Sequence, residues 1–176
     1  PRESFYDKSA LIDANTLDGR DARVGWTFVP DAPARRVWVD VRGHEERGAN
    51  AAEIEAMKSW LEAWRDHAIR NPRKDGRPWE VACLSFYNRQ EIATRDMLRT
   101  LTGRRQGETR FELPNTTIAC ATVDRFQGRE ADLVLLSLRN TTRPGHMDSP
   151  NRLNVGITRA RFLLAVEIAA LQRNDL

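Results

Sequence analysis

Apolar residues along this 176-residue chain follow two alternating rhythms. Short runs rich in Val, Ile, Leu, Cys and Ala occur at 37–41, 80–87, 116–123, 133–138 and 162–166, and each predicts a strand. The run at 133–138 is apolar but for Ser137, as expected of a strand covered by helices on both faces. Between these runs the spacing changes to threes and fours. Ile54, Met57, Leu61, Trp64 and Ala68 form one stripe, which predicts a helix over 50–70. Asn50 and Glu53 fit a capping arrangement at its start, and Asn71-Pro72 ends it. Ile92, Met97, Leu98 and Leu101 predict a second helix that starts near Arg89 and stops near Gly103. A short helix is expected over 151–161, with Ser149 or Asp148 near its cap and Pro150 in its first turn. Residues 104–114 are polar and read as irregular.

This order of elements predicts an α/β sandwich around a mainly parallel sheet, whose ligands gather beyond the carboxyl ends of the strands. Residues 1–35 fit it least. Phe5, Tyr6, Leu11, Trp26 and Phe28 share no period, and Gly25, Pro30 and Pro33 interrupt them. That stretch reads as a lead-in packing on a domain formed by 36–176. Trp26, Trp38 and Trp79 are expected in the core, and Trp60 and Trp64 on a packed helix.

Composition narrows the class. With 40% hydrophobic and 30% charged residues, the chain reads as one globular domain. No apolar run approaches the roughly 20 residues that cross a bilayer, and residues 1–4 lack a secretory signal layout. A monomer in a reducing, cytoplasmic setting is expected, with no membrane partner. Two cysteines, Cys83 and Cys120, cannot build a disulfide framework or a four-thiolate zinc site, and both read as buried thiols. The net charge of +3 is too small to argue for nucleic acid by itself. The cations are nearly all arginine, since only Lys8, Lys58 and Lys74 are lysine. Arginine forks suit phosphate, although a GC-rich genome produces the same bias.

Two segments carry candidate chemistry. The first is Thr122-Val123-Asp124-Arg125-Phe126-Gln127-Gly128-Arg129-Glu130-Ala131-Asp132, between two strands. Its glycine allows close approach of backbone to a ligand. Glu130 can accept from sugar hydroxyls, and Thr122 can donate to phosphate. An ordinary strand-to-strand loop capped by Asp and Thr accounts for the same residues. The second is Asn151-Arg152-Leu153-Asn154-Val155-Gly156-Ile157-Thr158-Arg159-Ala160-Arg161. On a helix, Arg152, Gly156 and Arg159 share one side. Those arginines serve either a structural salt bridge or the stabilisation of charge on a transferring phosphoryl group.

The two segments resemble motifs V and VI of superfamily-one helicases, in the branch of the nonsense-mediated-decay RNA helicase. The family pattern Thr-Val-Asp-x-Phe-Gln-Gly-x-Glu is met by 122–130, and Arg-Leu-Asn-Val-Ala-x-Thr-Arg-Ala-Arg by 152–161 with Gly156 for alanine. Leu84-Ser85-Phe86-Tyr87-Asn88-Arg89-Gln90 resembles motif IV, with Phe86 at the usual proline. Val39-Asp40-Val41 with Asn50-x-x-Glu53 resembles the opening of the second motor domain, and Phe5-Tyr6-Asp7 a short stretch preceding it. The resemblance fades after Val166.

The resemblance implies a RecA-like domain, the second of two in an ATP-dependent DNA or RNA helicase. The sequence contains no Gly-x-x-x-x-Gly-Lys-Ser/Thr, so it has no P-loop of its own. ATP and Mg2+ are then held mainly by the N-terminal RecA-like domain of the same protein, and this part alone is expected to be inactive. The resemblance makes Arg159 the arginine finger. It assigns Gly128 and Glu130, with Gln127 and Arg161, to the nucleotide side. Thr122, Tyr87, Asn88 and Arg152 fall to a single-strand track, with five-prime to three-prime movement by analogy. Arg104, Arg105, Arg139 and Arg143 are further candidates for touching the strand. A degenerate binding module without an ATP cycle is the alternative, and the intact Arg159 and Glu130 weigh against it. Asp40, His44, Glu45 and Glu53 match no metal-site spacing, and His67 and His146 are isolated. No metal centre is expected within the chain.

Overall fold

The computed structural model describes residues 36–104, 110–139 and 150–169. The lead-in at 1–35, Trp26, Arg105, Arg143, His146 and the cap candidates Asp148 and Ser149 lie outside the described residues. In chain order the elements are β1 (Arg36–Val41), α1 (Ala51–Arg70), β2 (Trp79–Ser85), α2 (Asn88–Thr102), β3 (Arg110–Leu113), β4 (Thr116–Thr122), a 3-10 turn (Asp124–Phe126), β5 (Ala131–Ser137), α3 (Pro150–Ile157) and β6 (Ala160–Ala169).

The described strands form one six-stranded sheet in the order β1-β6-β5-β2-β4-β3. All neighbours run parallel except β3 with β4. The sheet therefore has one carboxyl edge, where β2, β4 and β5 end at Ser85, Thr122 and Ser137. It has an opposite amino edge, where β5 and β6 begin. Each of these three strands has seven residues, so the edges are separated by about 20 Å.

Alternation along the buried strands supplies both faces. Val81, Cys83, Leu133 and Leu135 point to one face and pack with Met57, Leu61 and Trp64 of α1 and Leu98 of α2. Ala82, Leu84, Val134 and Leu136 point to the other, beneath Phe126 and the Leu153, Val155 and Ile157 side chains of α3. Burying each such Leu side chain contributes about 1.5–3 kcal/mol. Trp64 is wholly buried, and its indole N–H donates to Thr116 Oγ1 at 3.1 Å, so the polar end of the ring is satisfied. Gly103 closes α2 in the left-handed conformation, at φ 68°.

Several expectations need correction. The stretch 104–114 contains β3, which pairs antiparallel with β4 through Phe111 opposite Ile118. Its single buried phenylalanine is too short a signal to read as a strand. Trp38 is 59% exposed rather than core, because β1 is the edge strand of the described sheet and its Val37 and Val39 take the inward positions. Ile92 is 54% exposed, off the apolar side of α2. The helix expected over 151–161 stops at Ile157, so Arg159 sits on the connection to β6 and shares no helical face with Arg152.

Candidate nucleotide and nucleic-acid edges

The sequence-predicted site residues divide between the two edges of the sheet. Thr122, Tyr87, Asn88 and Arg152 collect at the carboxyl edge. Thr122 is buried at the end of β4, opposite Ser85. The Ser85 hydroxyl donates to the Tyr87 carbonyl at 3.0 Å, which sets the turn into α2. The Asn88 side chain accepts from Arg125 at 3.0 Å. Arg152 grips Asp124, with Nε 3.0 Å from Oδ1 and Nη2 on the other oxygen, and lies over the Phe86 ring. The Asp124 carboxylate holds the Arg152 guanidinium above its ordinary pKa. Arg139 covers the Tyr87 ring at 3.5 Å to its centroid and also pairs with Glu45 at 3.4 Å.

Beneath this edge lies a buried polar cluster built from Asn50 and Glu53, the expected helix cap, from Gln90 of the segment resembling motif IV, and from Ser137. Asn50 does cap α1, since its side chain accepts from the Ala52 and Glu53 N–H groups. Glu53 does not complete a capping box. The Asn50 N–H goes instead to Gln90 Oε1 at 2.7 Å. Glu53 is wholly buried and accepts from the Ser137 hydroxyl and, at 2.8 Å, from the Arg139 N–H. Gln90 Nε2 donates to Ser137 Oγ at 2.9 Å. The cluster ties α1, α2 and the end of β5 together. A polar Ser ending an apolar strand was the only sequence signal for its fourth member, Ser137.

Gln127, Gly128, Glu130, Arg159 and Arg161 collect at the amino edge, opposite to where ligands of such sheets were expected. The 3-10 turn and the residues after it cross from the end of β4 to the start of β5, and α3 crosses the same face to the start of β6. Gly128 has φ 79°, a conformation that other residues adopt only with strain, and a Cβ there would meet nothing within 4 Å. Gln127, Gly128 and Glu130 are exposed. The Ala131 N–H donates to the Arg159 carbonyl at 3.0 Å and joins the two crossings.

The two arginines of this edge differ in their surroundings. Arg159 donates from Nε to the Val155 carbonyl at 3.0 Å, from Nη2 to Thr158 Oγ1 at 3.0 Å and from Nη1 to the Arg129 carbonyl at 3.4 Å. All three acceptors are neutral, and among the described residues it makes no ion pair with a carboxylate. Arg161 pairs with Glu80 and lies 3.3 Å from Asp132 Oδ1. Asp132 also accepts from Arg73 at 2.9 Å and from the Glu80 N–H at 2.9 Å. Burial pushes the Asp132 carboxyl above the usual carboxylate range, against the pull of that N–H and of both arginines.

A family model described as an AAA domain matches residues 1–168. The chain belongs to this family. Yeast ATP-dependent helicase NAM7 (Saccharomyces cerevisiae) is 41% identical over 193 aligned positions, covering all of this chain and 18% of its own length. The yeast DNA polymerase alpha-associated DNA helicase A is 31% identical over 93% of the chain and 23% of its own length. Regulator of nonsense transcripts 1 from Caenorhabditis elegans is 27% identical over the whole chain and 16% of its own length. The chain thus spans a quarter or less of these relatives. The crystal structure of the C-terminal domain of a possible DNA helicase from Lactobacillus plantarum superposes with a TM-score of 0.51 at 17% identity, over 85% of this chain and 84% of that one. This AAA domain therefore has a RecA-like α/β fold, and the relatives it matches are helicases of superfamily one. No described helix is long and apolar enough to cross a membrane.

Proposed function

We propose that this AAA domain is the second motor domain of an ATP-dependent helicase, with its amino edge closing on nucleotide and its carboxyl edge following a single strand of DNA or RNA. The observation that carries the reading is the state of Arg159. Its guanidinium is partly exposed at the rim of the sheet and held only by neutral oxygens, beside the exposed Gly128 and Glu130. An arginine with a structural role resembles Arg161, which is locked between carboxylates. Arg159 instead has donors that can turn to an anion without breaking an ion pair within the described residues. That donor set fits the terminal phosphate of a nucleotide, which would come from a first motor domain together with Mg2+.

In this reading Arg159 places positive charge on the outer oxygens of the phosphoryl group as it transfers. Stabilisation that grows toward the transition state raises the rate of the chemical step. Glu130 accepts from a ribose hydroxyl, and Gly128 lets the backbone lie close to the nucleotide. At the other edge, Tyr87, Asn88 and Arg152 face sugar and phosphate rather than base edges, with the buried Thr122 beneath them, because a motor steps on any sequence. The domain acts with its companion RecA-like domain in one chain, and by itself it hydrolyses no ATP.

The test is Arg159→Ala in the full-length protein. Turnover is expected to fall by about 10³- to 10⁵-fold, the loss typical of an arginine finger, with nucleotide affinity largely kept. Near-normal turnover in a folded variant refutes the assignment.

A further inference from the structure

The ion cluster next to Arg159 has no part in the reading above. Asp132 is 0% exposed, although it lies only two residues beyond the exposed Glu130. One oxygen accepts from both Arg73 and the Glu80 N–H, and the other faces Arg161 Nε. Arg161 continues to the Glu80 carboxylate, and Arg73 to Asp75 at 2.8 Å. The starts of β2, β5 and β6 and the loop after α1 are thereby clamped on one carboxylate. Burying such a group is costly, so the cluster is weak as a source of stability and strong as a constraint on geometry.

The sheet is irregular at this point. Ala131 pairs with Ala160, but Leu133 pairs with Leu163, so β6 carries one extra residue where Arg161 stands. A bulge of this kind re-aims the side chains around it. The Ala131 N–H, next to Asp132, holds the Arg159 carbonyl, next but one to Arg161. The Arg159 carbonyl is thus held by the Ala131 amide, and both neighbouring segments are tied by the charged contacts of Asp132 and Arg161.

We propose that Asp132 is a positioning residue that, by clamping Arg161 and Arg73 across the β6 bulge, fixes the backbone from which Arg159 reaches toward nucleotide. This makes Arg161 a strut rather than a nucleotide ligand. The inference rests on the reading of Arg159 as the arginine finger. A misplacement of about 1 Å in such a group costs about 10²-fold in rate.

The experiment uses the full-length protein and Asp132→Asn, which keeps an acceptor for the Glu80 N–H and removes the charge. Turnover is expected to fall about 10²-fold while the affinity for ADP stays within about twofold. The preference for ADP with fluoroaluminate over ADP, a binding readout without turnover, falls in the same ratio. In an Arg159→Ala background, Asp132→Asn is expected to cause no further loss, because it acts through the residue already removed. Wild-type turnover in Asp132→Asn overturns the proposal, as does an equal further loss in the Arg159→Ala background. If Asp132→Asn does not fold, Arg161→Lys carries the same series, keeping charge but losing the fork. Full turnover and an unchanged fluoroaluminate preference in that variant overturn it equally. Should Arg159→Ala itself keep turnover, the failure lies with the proposed function. If Arg159→Ala loses turnover and Asp132→Asn does not, the fault is with the clamp alone.

Discussion

Gln90→Leu isolates the buried cluster under the carboxyl edge. Gln90 is wholly buried. Its Oε1 is the acceptor for the Asn50 N–H at 2.7 Å, and its Nε2 reaches Ser137 Oγ at 2.9 Å and the Asn50 carbonyl at 3.3 Å. Leucine is close in volume, so the cavity contribution is small. The main cost is then the orphaned Asn50 N–H, about 1–3 kcal/mol, plus about 1 kcal/mol for the hydrogen bond lost at Ser137. A total near 3 kcal/mol, divided by a urea m-value of about 2 kcal/mol/M, moves the unfolding midpoint down by about 1.5 M. Asn88→Ala, two residues away and exposed, serves as the reference and is expected to stay within about 0.5 kcal/mol. Gln90→Glu separates donor from acceptor. It keeps an oxygen for the Asn50 N–H but loses the Nε2 donor and puts a second carboxyl beside Glu53, so it is also expected to destabilise. Urea melts followed by tryptophan fluorescence measure all three. If the Gln90→Leu midpoint stays within about 0.3 M of the wild type, against the shift of about 1.5 M expected, the cluster does not contribute as described.

Two further predictions concern titration. Burial, with Glu91 adding to it, pushes the Cys120 thiol up to about 12. Native protein at pH 8 should resist alkylation at Cys120 until denaturant is added, and prompt modification of Cys120 in folded protein, located by peptide mapping, contradicts this. Hydrogen bonds from the Arg73 guanidinium and then the Arg77 N–H lower Asp75 to about 2. The folded value lies below the unfolded one, so this contact contributes stability above the ordinary Asp range, near pH 3.8, and loses it as pH falls toward 2. A carbon-detected NMR titration should place the Asp75 midpoint near 2 and move it upward in Arg73→Ala. An unmoved midpoint would show that Arg73 is not the cause.

Much of the fold was legible because its signals are local. The 3-4 spacing from Ile54 to Ala68 and the apolar run at 133–138 match α1 and β5 closely. Asn50 and Gly103 mark the helix ends as their chemistry predicts. The misreadings arise where long-range packing decides. Phe111 and Leu113 are two apolar residues at the end of a polar stretch, and only the place of Phe111 opposite Ile118 makes a strand of them. Trp38 has the composition of a core residue, yet its strand holds the edge position in the described sheet.

The amino-acid sequence alone determined the periods, the caps and the two motif segments, and with them a RecA-like domain of helicase type. It did not say which edge of the sheet each motif residue occupies. That follows from strand order, because residues such as Thr122 and Glu130, eight positions apart, are carried to opposite ends of parallel strands by the segment that crosses between them. Nor could it show that Arg159 and Arg161, two arginines of one motif, have different surroundings. Only the packing of Glu80, Arg73 and Asp132 around one of them does so, since ion pairing depends on distances between groups far apart in the chain.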